Sequence, residues 1–107
     1  MNSYFELADW LKTKGIGSYM QSADRLVVSN ENPARPGRNC FWVTRKGSQW
    51  FIGTFLPAGY HVPEARDIGP LCETVFRSSP TAVYSIDPAI ISRYRLLALT
   101  DAETEAL

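Results

Sequence analysis

Residues 40 to 56 read Cys40-Phe-Trp-Val-Thr-Arg-Lys-Gly-Ser-Gln-Trp-Phe-Ile-Gly-Thr-Phe-Leu56, two runs rich in aromatic and β-branched residues on either side of Lys46-Gly47. Runs of this kind interrupted by a glycine-containing turn predict a β-hairpin. Pairing Thr44 with Gln49 sets Val43 opposite Trp50, Trp42 opposite Phe51 and Phe41 opposite Ile52. Because side chains alternate along a strand, Phe41, Val43, Trp50 and Ile52 then share one face, and Trp42, Thr44, Gln49, Phe51 and Phe55 the other. Both faces carry large rings. Either the sheet is covered on both sides, or its second face is kept aromatic to bind something.

Outward from the hairpin, the flanks supply helices and further strands. Ser3-x-x-Glu6 is a capping box and Gly15 stands where a helix C-cap belongs, so a helix is expected over about residues 4–14, with Phe5, Leu7, Ala8 and Leu11 as its inward stripe. The chain turns from Gly15 to Gln21, and Arg25 to Ser29 reads as a short strand. Residues 30–39 hold two prolines, a glycine and three asparagines and predict a loop. After the hairpin, Tyr60 to Pro63 reads as an extended link, and Ile68, Leu71, Cys72, Val75 and Phe76 follow helical spacing, predicting a helix over about 67–78. Pro80 stops it. Thr81 to Ile86 alternates as a strand, Asp87-Pro88 starts a third helix, and residues 95–99 fit either a helix continuation or a last strand.

The expected fold is therefore a single small α+β domain over residues 1–100, in the order α-β-β-β-α-β-α, with helices packed on an antiparallel sheet of about four strands. Residues 101–107, with three acids and no base, are expected to fray as an acidic tail. A chain of 107 residues buries roughly 65% of its unfolded surface, so packing alone can hold it without metal or disulfide.

Charge and cysteine content narrow the function classes. Eleven Lys and Arg balance eleven Asp and Glu, so no global field recruits nucleic acid or an anionic membrane. Locally, Arg35, Arg38, Arg45 and Lys46 gather around the hairpin with no acid between them. The N-terminus lacks the basic start and apolar run of a secretory signal, no stretch reaches the roughly 20 apolar residues of a membrane span, and the cytoplasm is the expected compartment. Cys40 and Cys72 lack CxxC spacing and are expected as reduced, buried thiols.

These features predict a non-enzymatic binding or adaptor module for another macromolecule, a protein partner or a second copy before any other. Trp42, Phe51 and Phe55 would act as anchors, and Arg35, Arg38, Arg45 and Lys46 would set orientation and on-rate. An alternative is single-stranded nucleic acid bound by the same face, although the RNP1 pattern is missing, since Ser48-Gln49 follows Arg45-Lys46-Gly47. A further alternative is a small enzyme using His61, the sole histidine, with Cys40 as nucleophile. No cofactor or metal is expected: Gly15-Ile-Gly17 lacks the rest of a dinucleotide fingerprint, and two cysteines and one histidine lack the paired spacing of zinc sites.

Overall fold

In the computed structural model, which describes residues 1–30, 40–56, 58–78 and 85–107, the hairpin is the centre of a larger sheet. The chain runs α1 (Tyr4–Thr13), β1 (Ser18–Ser22), β2 (Arg25–Val28), β3 (Phe41–Lys46), β4 (Gln49–Thr54), β5 (Ala58–Val62), a 3-10 turn (Ala65–Asp67), α2 (Ile68–Ser78), α3 (Pro88–Arg93), β6 (Leu97–Ala98) and α4 (Asp101–Glu105). The six strands lie in sequence order, β1-β2-β3-β4-β5-β6, and every pairing is antiparallel. The radius of gyration, 12.2 Å, lies just below the roughly 13 Å expected of one domain of this length, so the helices and the sheet form one body.

The expectation of about four strands in the order α-β-β-β-α-β-α is corrected to six strands among the described residues, in the order α-β-β-β-β-β-α-α-β-α. β1 falls largely within the stretch Gly15 to Gln21 read as a turn and pairs with β2, and β5 takes up Tyr60 to Val62 of the stretch read as an extended link, with Ala58 and Gly59 before it, and pairs with β4. Most of the strand expected over 81–86 lies outside the described residues, as does all but Asn30 of the loop expected over 30–39; Ser85 and Ile86 are not in a strand. The ambiguity over 95–99 ends in strand: Leu96 N–H bonds back to the Ile91 carbonyl at 2.9 Å, Arg95 takes a left-handed φ of 55°, and β6 follows. Within the stretch 101–107 expected as an acidic tail, Asp101–Glu105 forms a short helix with a complete capping box between Thr100 and Glu103.

The hairpin register also differs from the expected one. Lys46 pairs with Gln49 and Thr44 with Phe51, because the turn is the two-residue Gly47-Ser48 with Gly47 at φ 63°, a conformation that favours glycine. The shift is by two residues, so the faces survive. Phe41, Val43, Trp50 and Ile52 join Leu26, Val28 and Val62 in the core, covered by Leu7 and Leu11 of α1, Ile68, Leu71, Cys72 and Val75 of α2, and Ile90 of α3.

α1 ends as its sequence requires. Gly15 at φ 77° donates to the Lys12 carbonyl and Ile16 N–H to the Leu11 carbonyl, each at 3.0 Å, and Ile16 is buried. At the other end Ser3 Oγ accepts from Glu6 N–H at 3.1 Å. One part of the expected stripe fails: Phe5 points outward, 81% exposed.

Candidate functional site

The second face of the sheet carries the rings that the sequence marked as binding anchors. Trp42 is only 2% exposed. Its Nε1 donates to the Thr54 carbonyl at 2.8 Å, its ring lies over Gly53, and the Arg25 guanidinium sits 4.6 Å from the ring centroid. Phe51 is 8% exposed, with its ring 5.3 Å from that of His61. Phe55 is half-buried, past the end of β4, about 20 Å along the sheet from the Lys46 turn at ~3.3 Å per residue. Trp42 and Phe51 thus share a face with Arg25 and His61, whereas Phe55 and Lys46 stand at opposite ends.

Arg45 turns to the core face. Its backbone N–H donates to Tyr4 Oη at 2.6 Å, and its guanidinium lies 5.7 Å from the Trp50 centroid. The Tyr4 hydroxyl in turn donates to the Asp24 carbonyl at 2.8 Å, and burial pushes this phenol above its ordinary range. Lys46 is exposed at the hairpin turn. Arg25, Arg45 and Lys46 therefore make a basic corner where the β1–β2 and β3–β4 turns meet the start of α1. Arg35 and Arg38 lie outside the described residues.

His61 and Cys40 are held apart. His61 is level with Phe51 and Thr44 across three strands, so Cys40, four residues back along the chain from Thr44, is roughly 13 Å away in the strand direction and two strands across. His61 does line a concavity, a depression of about 370 Å³ with Gln49, Phe51, Leu97, Leu99 and Glu103. The Glu103 carboxylate there accepts from Thr100 N–H at 3.0 Å, which with the Thr100 hydroxyl holds its pKa below the usual carboxylate range. Neither cysteine forms a disulfide, and both are buried. Desolvation drives the Cys72 thiol far above the ordinary thiol range. Among the described residues no three His, Cys, Asp or Glu side chains gather to hold a metal ion. No helix among them is long and apolar enough to cross a membrane.

The site that sequence reasoning missed lies beside β1. Two adjoining depressions, about 390 and 270 Å³, follow the cleft between α1 and this edge strand; Phe5, Ala8 and Ser18 line both, Lys12 and Ile16 close one end, and Tyr4 and Met20 the other. Phe5 and Met20, the latter 44% exposed, rise from its two walls. A signal for this was present. Residues two apart on a helix are about 200° apart around its axis, so Phe5 and Leu7 could not both face inward. Leu7 and Leu11 form the buried pair, which leaves Phe5, Ala8, Asp9 and Lys12 as a lateral stripe, two of whose members are charged.

The edge itself is defined by its hydrogen bonds. Ser29 N–H donates to the Gly17 carbonyl at 2.9 Å, and in an antiparallel ladder the next hydrogen-bonded pair is two residues on, Tyr19 with Val27. The backbone N–H and C=O groups of Ser18 and Met20 are accordingly directed away from β2, and no strand among the described residues lies on that side. Ser18-Tyr-Met-Gln-Ser22 also has no charge and no proline, two of the devices that protect a sheet edge; the device it does carry, the β-bulge between Met20 and Ser22, leaves Ser18 to Met20 regular.

Compared with protein-family models, curated proteins and solved structures, the chain matches none at a significant level.

Proposed function

We propose that this chain is a protein-binding module that accepts an extended segment along β1, with apolar side chains of that segment seated in the cleft beneath Phe5. One observation carries the reading: an uncharged edge strand with outward backbone donors and acceptors at Ser18 and Met20 runs beside an apolar cleft walled by exposed Phe5 and Met20. Main-chain bonds to the edge would supply affinity, and the cleft would select side chains at alternate positions of the incoming strand.

The hairpin residues take a supporting part in this reading. Trp42 and Phe51 are already desolvated by their own chain and so stiffen the sheet, whereas Arg45, bonded through its backbone to Tyr4, stands beside the Tyr4 end of the cleft and, with Lys46 and Arg25 at the same end of the sheet, would orient a partner through charge. The aromatic anchor moves from Trp42 to Phe5.

The test is selection of extended peptides on the purified chain, followed by mapping of amide shifts on titration. Perturbations should concentrate at Ser18–Ser22 and along Phe5, Ala8 and Lys12, and Phe5→Glu should abolish them without altering the melting temperature, since the ring is solvent-facing. Shifts confined to the His61 depression, or binding insensitive to Phe5→Glu, would refute it.

A further inference from the structure

We infer that the strand accepted at β1 is the β1 of a second copy of this chain, paired antiparallel about a two-fold axis at Tyr19; this names the partner within the protein-binding reading above and rests on it. The register follows from the edge. Two residues, Ser18 and Met20, direct their backbone groups outward, and the β-bulge between Met20 and Ser22 ends the regular strand there. A two-fold that pairs Ser18 with the other copy's Met20, and Met20 with its Ser18, forms four main-chain hydrogen bonds and places the two Tyr19 residues opposite each other as a non-hydrogen-bonded pair.

The cleft fits the same register. Met20 stands on the core face of the sheet, level with Leu26, and in this pairing its side chain lies beside the other copy's Ser18 on that face. Ser18 is a residue that lines both depressions, so each thioether is delivered into the other copy's cleft between Phe5 and Ala8. The exposed Met20 and the open cleft are two halves of one contact, as an isologous interface demands.

Charge agrees. β1 contributes none, and the α1 rim of the cleft bears one acid, Asp9, and one base, Lys12. Two such rims running in opposite directions set unlike charges toward each other, and the basic corner of each copy, at its Arg25 end, is carried to the far end of the seam from that of the other. An extended acidic partner would be favoured by the corner alone; the two-fold also uses Met20, Phe5 and both outward backbone pairs.

Sedimentation velocity of the whole chain over a range of concentrations tests this, together with a cross-link at the axis. A concentration-dependent dimer is expected, and Met20→Lys should weaken it at least ~10-fold by placing a charge in a desolvated contact, with the unfolding temperature of the monomer unchanged. Tyr19→Cys should give a disulfide-linked dimer on mild oxidation, since directly opposed residues of a non-hydrogen-bonded pair lie about 4.5 Å apart between Cα atoms, within disulfide reach. Ser22→Cys, beyond the bulge, should not. A monomer at every concentration, or cross-linking of Ser22→Cys as fast as of Tyr19→Cys, overturns the two-fold. A monomer that still takes up selected peptides at β1 overturns only the second copy as occupant; a monomer that takes up none overturns the binding reading as well.

Discussion

Gly53 is the position where the second face of the sheet can be tested most sharply. The Trp42 indole lies flat over it, and a Cβ there would overlap Cζ2 of that ring and stand 2.5 Å from both Cε2 and Cη2. The ring has little room to move, because it is 2% exposed, Nε1 is bonded to the Thr54 carbonyl at 2.8 Å and the Arg25 guanidinium packs 4.6 Å from its centroid. Gly53→Ala therefore forces an overpacked core, costing about 3 kcal/mol at the upper end of such changes, and loses the indole hydrogen bond, about 1 kcal/mol more. Glycine's greater unfolded-state freedom returns roughly 0.5–1 kcal/mol to the alanine variant. The net loss, about 3 kcal/mol, is roughly 150-fold in the folding equilibrium. It is a large part of the ~5–15 kcal/mol that holds a domain of this size. Trp42→Ala by itself should cost about 3–5 kcal/mol through the cavity it leaves. In that background the methyl group at position 53 meets no ring, so the alanine change should cost less than about 1 kcal/mol, a coupling of about 2–3 kcal/mol between the sites. Urea unfolding followed by circular dichroism and tryptophan fluorescence measures all four corners of the cycle. If Gly53→Ala costs the same with and without Trp42, the indole is not where this account puts it.

Three further outcomes are expected. Thr44 is buried with its hydroxyl lacking a hydrogen-bond partner among the described residues, so Thr44→Val, nearly the same shape, should raise stability by about 1 kcal/mol; a loss of that size in urea melts would mean that the hydroxyl is satisfied. Arg95 holds a left-handed φ of 55° at the end of α3, where glycine pays no steric cost, and Arg95→Gly should gain about 0.5–1 kcal/mol net of its entropy, read as a higher melting temperature. The Cys72 thiol is raised by burial, so its contribution to stability is complete below the ordinary thiol range of about 8.5 and is lost as pH rises above it, when the unfolded chain ionises first. Wild type should then lose stability more steeply than Cys72→Ala between about pH 8 and 10, and native Cys72 should resist thiol reagents; rapid labelling without unfolding would contradict its burial.

Much of the architecture can be read from short-range pattern. Ser3-x-x-Glu6 and Gly15 delimit α1, the stripe from Ile68 to Phe76 marks α2, and Asp87-Pro88 opens α3, whose first amide is capped by Asp87 at 2.8 Å. The hairpin faces are correct although its register was two residues off, because side-chain direction repeats every two residues and an even slip leaves it unchanged. β1 and β5 were illegible for a physical reason. Ser18 to Ser22 holds a single large apolar side chain on the core face, and Ala58 to Val62 includes Gly59, packed against Thr104 and Leu99, so neither has a strong alternation; both are strands because a neighbour supplies their hydrogen bonds. The seven residues that the sequence marks as a binding face stand out by residue type, and residue type does not say whether a ring is already covered.

The sequence by itself determined the periodic features: where α1 and α2 start and stop and where α3 starts, which side chains share a strand face, and that both faces of the hairpin carry rings. Those depend on neighbours within a few residues. Only the tertiary structure decided that Trp42 is closed off between Gly53 and Arg25, that Phe5 is left outside, and that the sheet ends at an uncharged β1 beside an open cleft. Coverage and edges are set by contacts between segments far apart in the chain, and each depends on which of several similar apolar surfaces wins the same neighbour.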